Sequence, residues 1–437
     1  MKIAILSLSS DAGHTNILLH IGKLLQDNGI SVRFFGSSEN NFLCQYRNIS
    51  YSTFYVGRPP DHIKNLAKLS ATSRFWRDAI ITKWFYINYY EKENYFGICK
   101  QEQLFELVQD FKPSAILADS HQFTASSELI ASKLNCPLIF NSAYGSYSMF
   151  QSEHHLTNFP FNPFTGALLA ILKKLLGKGL TEYTRLFNNR KFNSDQYINN
   201  FLTDYWNRYL KTNLSGSPKL TISSGTGILE KKYLYEHISI PDHVFQVGPV
   251  AYSPTHLLSD DLSDWLYLNS RSVIFVCLGT MVKGVFPFFN HIVQAAVTQG
   301  YRVLWSYYEK PWKNSMDSAD LRWEKWVPQL DILAHENVEI FISHCGSGAI
   351  RQALWFCKPV ISIPFLWDQF YNAWVIEKLC GIPPLNKENI TVKSIISRIR
   401  TVQSNITRFQ QICTEFRSNE GSKLLINRIV KHINSNQ

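Results

Sequence analysis

No stretch of the 437-residue chain reaches 18 consecutive apolar residues, so nothing in it reads as a membrane-spanning helix. The opening MKIAILSLSSDAGHTN enters a strand at once. It has neither a long apolar run nor a small-residue cleavage site, so it does not read as a signal peptide. The eight cysteines form no C-x-x-C pair and show no metal-ligand spacing. Cys136, Cys277 and Cys357 sit inside apolar runs, where they read as small buried hydrophobes; a reducing compartment, the cytoplasm, is expected. There is no block of five Lys or Arg and no zinc-finger or RNP-type pattern, which leaves no nucleic-acid module in view. The absence of G-x-x-x-x-G-K-[ST] excludes a P-loop, and no G-x-G-x-x-G follows the first strand, so an ordinary NAD fingerprint is missing. A D-x-D metal motif is also absent; SDDLSDW reads as the start of a helix.

What is present describes a globular protein of two domains. Hydrophobic residues make up 45% and charged residues 18%, and the length exceeds one ordinary core. Aromatics at 14% fill cores or line an apolar site. The net charge of +10 leaves anionic small ligands and membrane surfaces open.

The chain opens in βαβ grammar: KIAILSL, a polar loop, the helical spacing of ILLHIGKLLQDNG stopping at Gly29, then SVRFFG. The pattern predicts a parallel sheet covered by helices. It returns at SAILAD (114–119), a helix over 122–134, and PLIFNS. Between these units, 58–100 is aromatic and basic and fits helices. The stretch 143–215 is irregular, apart from GALLAILKKLLGKGL (166–180), whose Leu168, Ile171, Leu172, Leu175 and Leu176 share one helical face. A helix packed on its own domain and an interfacial helix contacting an anionic membrane through 166–191 both fit this spacing. A passage at 241–250 divides an N-terminal domain (1–243) from a second βα series (244–415). A helical tail (416–437) follows, in a position to pack back on the first domain. Two successive parallel α/β domains with a cleft between them are the expected architecture.

The segment FISHCGSGAIRQALWFCKPVISIPFLWDQ (341–369) carries the clearest chemistry. An apolar strand ends at Ser343, a small-residue loop holds His344, Gly346 and Gly348, and a helix is expected near Ala349. Small residues let backbone N–H groups approach a ligand, and a helix N-terminus favours an anion, most naturally phosphate. The alternative is a plain βα turn with a buried histidine. One strand later, Asp368 and Gln369 offer acceptors and a donor suited to vicinal hydroxyls of a sugar. Upstream, Trp326 offers a flat face on which a base can stack, with Gln329 close by. Base, diphosphate and sugar partners in that order describe a nucleotide-sugar site.

On these residues the chain resembles the UDP-sugar-dependent glycosyltransferases, the large superfamily of plant, animal and bacterial UDP-glycosyltransferases. Their 44-residue signature runs here without a gap from Trp326 to Gln369 and includes Pro328, Gln329, His335, His344, Cys345, Gly346, Pro359, Pro364 and Asp368. FVCLGT, VLWSYY, GPV and SAILADSHQF resemble further family segments. The resemblance implies a GT-B fold, two facing Rossmann-like domains with parallel sheets and a cleft between them, acceptor on the first and donor on the second. It implies that Trp326 stacks on uracil, with Val327 beside it and Gln329 by the nucleoside. His344, Gly346 and the N–H groups near Gly348 and Ala349 would hold the diphosphate, with Thr280 nearby, and Asp368 and Gln369 would contact the sugar. His14, in a Gly-His pair after the first strand, would take the acceptor proton. Asp119 would orient it, with Asp11 and His121 as weaker rivals. Two departures stand out. Ser347, Gly348 and Ala349 replace the family's Trp-Asn-Ser, removing a phosphate-contacting hydroxyl, and Gln352 replaces the ribose-binding Glu. A UDP-sugar is the expected donor, with a dTDP-sugar as alternative. The acceptor is expected to be a lipophilic small molecule and the reaction an inverting displacement with no metal and no cofactor. A membrane-surface homologue without turnover and a sugar-nucleotide epimerase are the rival readings.

Overall fold

A computed structural model describes residues 1–7, 12–54, 98–119, 124–142, 219–234, 244–268, 271–280, 282, 284–312, 316, 318–365 and 368–436. The expected helices in 58–97, the segment 166–191, and the residues Asp11 and His121 lie outside them.

Continuous apolar runs make the central strands. In Lys2–Ser7 (β1) every residue after Lys2 is buried, as a strand covered on both faces requires. Alternate side chains serve opposite cores. Ile3 and Ile5 pack with Leu18, Ile21 and Leu25 of helix Ala12–Asp27 (α1), whereas Ala4 and Leu6 pack with Leu104 and Val108 of Ile98–Phe111 (α3) and Ile130 of Thr124–Leu134 (α4). A short helix, Asn41–Tyr46 (α2), lies between Ser31–Ser37 (β2) and Ser50–Phe54 (β3). With Ala115–Asp119 (β4), Leu138–Ser142 (β5), Lys219–Ser224 (β6) and Val244–Gly248 (β7), these strands form a seven-stranded parallel sheet of order β3-β2-β1-β4-β5-β6-β7. Helix Gly227–Tyr233 (α5) connects β6 and β7.

A second parallel sheet has order β10-β9-β8-β11-β12, built from Val273–Cys277 (β8), Arg302–Ser306 (β9), Leu321–Glu324 (β10), Val338–Ser343 (β11) and Val360–Ser362 (β12). Its helices are Asp260–Tyr267 (α6), Phe288–Thr298 (α7), Gln329–Ala334 (α8), Ser347–Trp355 (α9), Asp368–Cys380 (α10), Val392–Ser404 (α11) and Ile406–Ser418 (α12). Phe409, Ile412 and Phe416 of α12 join this second core, while Leu425, Ile429 and Ile433 of Ser422–Asn434 (α13) join the first. Among the described residues no helix is long and apolar enough to cross a membrane.

Two boundaries differ from the sequence reading. Residues 244–248, placed at the head of the second domain, pair with β6 through Thr221↔Val244 and Ile222↔Phe245 and close the exposed edge of the first sheet. The passage follows instead, where the Asp331 carboxylate of α8 accepts the backbone N–H groups of Thr255, His256 and Leu257. Helix α1 starts at Ala12 rather than near Ile17. Its first turn lacks apolar spacing because a polar contact anchors it, the Thr15 hydroxyl lying 2.9 Å from that of Ser7 at the end of β1.

The chain returns to the first domain at Gly421, whose N–H donates to Pro249 O at 2.9 Å. A Cβ there would run into the backbone carbonyl of Val247. Gly421→Ala is therefore expected to destabilise the protein by about 1–3 kcal/mol through overpacking. Hydrogen exchange in α13 should rise before exchange elsewhere does. Unaltered protection of α13 would show that the turn absorbs the methyl group.

Candidate active site

In the first sheet β1 lies between β2 and β4, and two candidate side chains meet at the C-terminal ends of β1 and β4. His14 stands in the first turn of α1, and Asp119 ends β4. His14 Nδ1 lies 2.9 Å from Asp119 Oδ2, with the two residues only 8% and 2% exposed. An imidazole that donates Nδ1–H to a carboxylate presents Nε2 as its basic nitrogen, and the carboxylate stabilises the imidazolium formed when Nε2 takes a proton.

The second sheet repeats the arrangement at β8 and β11. Gly279 follows β8 with φ +73°, and a Cβ on it would lie 2.5 Å from His344 Nε2; one on Gly346 would lie 2.6 Å from the same atom. The imidazole thus lies against two glycines. Between them Cys345 adopts φ +65° and is fully buried. That conformation is held by Ser343 Oγ, which accepts its N–H at 3.1 Å, and by Asn372 Nδ2 of α10, which donates to its carbonyl at 2.8 Å. Helix α9 starts at Ser347 with Gly346 as N-cap and no side-chain capping bond, so its first-turn N–H groups present an anion site. Gly348 differs from the other two, since a Cβ there would meet nothing.

Trp326, expected to face a nucleoside, is 54% exposed, and Tyr46 of α2 meets it edge-on at 5.8 Å between ring centroids. The Tyr46 hydroxyl lies 2.7 Å from Thr255 Oγ1, which itself donates to Asp331 at 2.7 Å. Gln329 Nε2 donates to Gln352 Oε1 at 2.6 Å, joining the two amides expected beside the nucleoside. Val327, the residue after Trp326, is buried. Thr280 is exposed directly after Gly279. Asp368 opens α10, and the buried Gln369 accepts the Phe365 N–H through Oε1 at 2.9 Å. One side-chain function of Gln369 is therefore used inside the protein rather than toward a sugar. His335 is structural: its Nδ1 accepts the Asn337 N–H at 3.2 Å, and burial holds its pKa below the usual histidine value. Tyr46 and Asp331 are site-side residues that sequence reasoning missed, because their partners are distant in the chain. Among the described residues no three His, Cys, Asp or Glu side chains assemble as a metal-ligating group.

Two parallel sheets carrying loops at these positions are the GT-B architecture of glycosyltransferases. The chain aligns over 99% of its length, and 99% of theirs, with the structures of the glycotransferase of kitacinnamycin (TM-score 0.65, 15% identity) and the spinosyn forosaminyltransferase SpnP (TM-score 0.65, 12% identity). Residues 4–412 match the family model described as UDP-glucoronosyl and UDP-glucosyl transferase, and the chain belongs to that family. Similar relatives include UDP-glucuronosyltransferase 2A1 of Mus musculus, 24% identical over 70% of this chain and 57% of its own length. UDP-glycosyltransferase UGT4 of Dactylopius coccus is 26% identical over 75% and 66%, and UDP-glycosyltransferase 91D2 of Stevia rebaudiana 31% over 37% and 39%. The chain spans less than two thirds of the length of each of these relatives.

The glycines give a stability contrast. Gly279→Ala adds a methyl against His344 and forces a left-handed backbone on alanine, which should destabilise by about 1–3 kcal/mol. Gly348→Ala lies in a helix with open space around it and should be neutral or stabilising by up to about 1 kcal/mol. Thermal unfolding of the two variants checks the sign of each.

Proposed function

We propose that this chain transfers a sugar from a uridine diphosphate sugar to a hydroxyl of a lipophilic small molecule by a single displacement with inversion. The observation that carries the reading is the buried 2.9 Å contact between His14 and Asp119 at the strand-order reversal of the first sheet. His14 Nε2 takes the acceptor O–H proton as the oxygen attacks the anomeric carbon. The bond from that carbon to the diphosphate oxygen breaks, and the negative charge passes to the leaving nucleotide. The first-turn N–H groups of α9 and His344 stabilise that charge without a metal or cofactor. Trp326 stacks on the base, and Asp368 and Gln369 contact the sugar. Preference for a lipophilic acceptor rests on the family and on the 14% aromatic content. A dTDP-sugar is the second donor reading. It is supported by Gln352, whose Oε1 is engaged by Gln329 and which lacks the charge of a ribose-binding carboxylate. Comparing UDP with dTDP by calorimetry separates the two.

The described cysteines are free thiols, which suits a reducing compartment. Contact of 166–191 with an anionic membrane belongs to the same reading and is tested by vesicle sedimentation; no binding at low salt removes it.

His14→Ala is expected to lower transfer by ~10²–10⁴ while UDP affinity stays within about twofold, because general-base loss acts on the chemical step. Wild-type turnover in that variant would overturn the base assignment. Trp326→Ala should weaken UDP binding by roughly 1–3 kcal/mol through lost stacking, and His344→Ala by a comparable roughly 1.5–3 kcal/mol. Unchanged affinity in both would remove the donor site from this loop.

A further inference from the structure

Two buried contacts tie the donor-side elements of the second domain to one short segment of the first. Arg351, on α9, is 4% exposed. Its Nε donates to Ser347 O at 3.1 Å and its Nη2 to Ser347 Oγ at 3.0 Å. Its Nη1 donates to Ser224 O at 3.1 Å and also approaches Ser224 Oγ at 3.4 Å. Ser347 begins the helix that faces the diphosphate, and Ser224 ends β6 of the acceptor-side sheet. One guanidinium therefore spans the join. The next residue, Gly225, passes so close that a Cβ on it would lie 2.5 Å from Arg351 Cδ. Its own N–H donates to Gly248 O at 2.9 Å, fixing the turn to β7.

The second contact lies five residues further on. Glu230 of α5 is buried and accepts from Thr226 Oγ1 at 2.6 Å and from Tyr371 Oη at 2.7 Å. Tyr371 follows Asp368 and Gln369 on α10, the helix expected at the sugar. Leu229 of α5 packs into the core of the second domain, and Lys232 and Tyr233 hold Glu415 of α12 at 2.7 and 2.5 Å. By connectivity 224–233 belongs to the first sheet, yet its side chains are fastened to the second. A rotation of one domain against the other must disturb Ser347 through Arg351, or the first turns of α10 through Tyr371.

We infer that segment 224–230 is a bracket that sets the angle between the acceptor side and both donor loops, with Arg351 and Tyr371 as positioning residues for transfer. This rests on the functional reading above. Reacting atoms must be held in near-attack geometry, and displacements of about 1 Å at a distance cost on the order of 10² in rate. The nucleotide contacts proposed above, Trp326, Gln329 and the first turn of α9, all lie in the second domain.

The test combines kinetics with hydrogen exchange on the full chain. Arg351→Lys keeps the charge but cannot reach Ser347 and Ser224 together with one ammonium. Tyr371→Phe removes only the hydroxyl. In both, kcat for transfer is expected to fall about 10–100-fold, with donor KM and UDP affinity within about threefold of wild type. In the wild type, UDP is expected to slow exchange in 224–233, and each variant should abolish that effect. Wild-type kcat in both variants, losses of kcat matched by equal losses of UDP affinity, or no effect of UDP on exchange in 224–233 of the wild type would each overturn the bracket. If Arg351→Lys fails to fold, Tyr371→Phe decides alone. Calorimetry showing that UDP does not bind the wild type would instead overturn the functional reading.

Discussion

In each sheet the strand order reverses beside the first strand of the series, and the candidate site follows from those two reversals. Right-handed crossovers carry successive helices to one face of a parallel sheet. Where the order reverses, the connections depart to opposite faces and leave a crevice at the strand ends. β1 pairs with β4 in the register Leu6↔Ala118, which sets Ser7 level with Asp119. A loop and one helical turn then bring His14 against that carboxylate. β8 pairs with β11 in the register Cys277↔Ser343, so Gly279 falls beside the loop that holds His344 and Gly346. Both meetings are set by sheet register, which a buried apolar strand cannot slip without turning its core residues to the wrong face.

The reversal explains why much of the site was readable before the fold. Apolar runs such as KIAILS and VEIFIS fix strands, and a chemistry-bearing residue directly after such a run lies at a strand's C-terminal end. Asp119 and His344 satisfy that condition, and His14 follows its strand after a loop and one helical turn. What stayed hidden depends on partners far away in the chain. VFQVG opens a second domain as plausibly as it closes the first, because a strand pattern does not say which edge it joins. Asp331 looks like an ordinary acid in a helix's first turn; its role lies in N–H groups about 75 residues earlier. Arg351 looks like a solvated charge after a loop and proves buried against Ser224, 127 residues away.

Side-chain caps are uneven along the chain, several helices lacking one, and at α9 the lack suits the anion expected there. α6 is capped by the Ser259 side chain, and α11 carries a capping box of Thr391 and Ser394. α9 has Gly346 instead and no side-chain cap. Replacing a capping hydroxyl by glycine costs only a few tenths of a kcal/mol. A side-chain oxygen at this cap would occupy the first-turn N–H groups and repel the diphosphate expected there. A Cβ at the same position would also press on His344. One residue choice thus serves both the electrostatics and the packing of the loop.

The proposed transfer requires the two sheets to hold one geometry. Among the described residues, two braces, each a set of contacts, reach the candidate donor residues across the join. One runs from Asp331 through Thr255 to Tyr46, whose ring meets Trp326. The other runs from Ser224 and Glu230 to α9 and α10. A single brace would leave the domains free to pivot about it, whereas two braces meeting different parts of the candidate donor site oppose that rotation. A pre-set angle means that less ordering is needed when the substrates bind, so more of the binding energy remains for the transition state. Each brace is hydrogen-bonded through side chains rather than through backbone ladders.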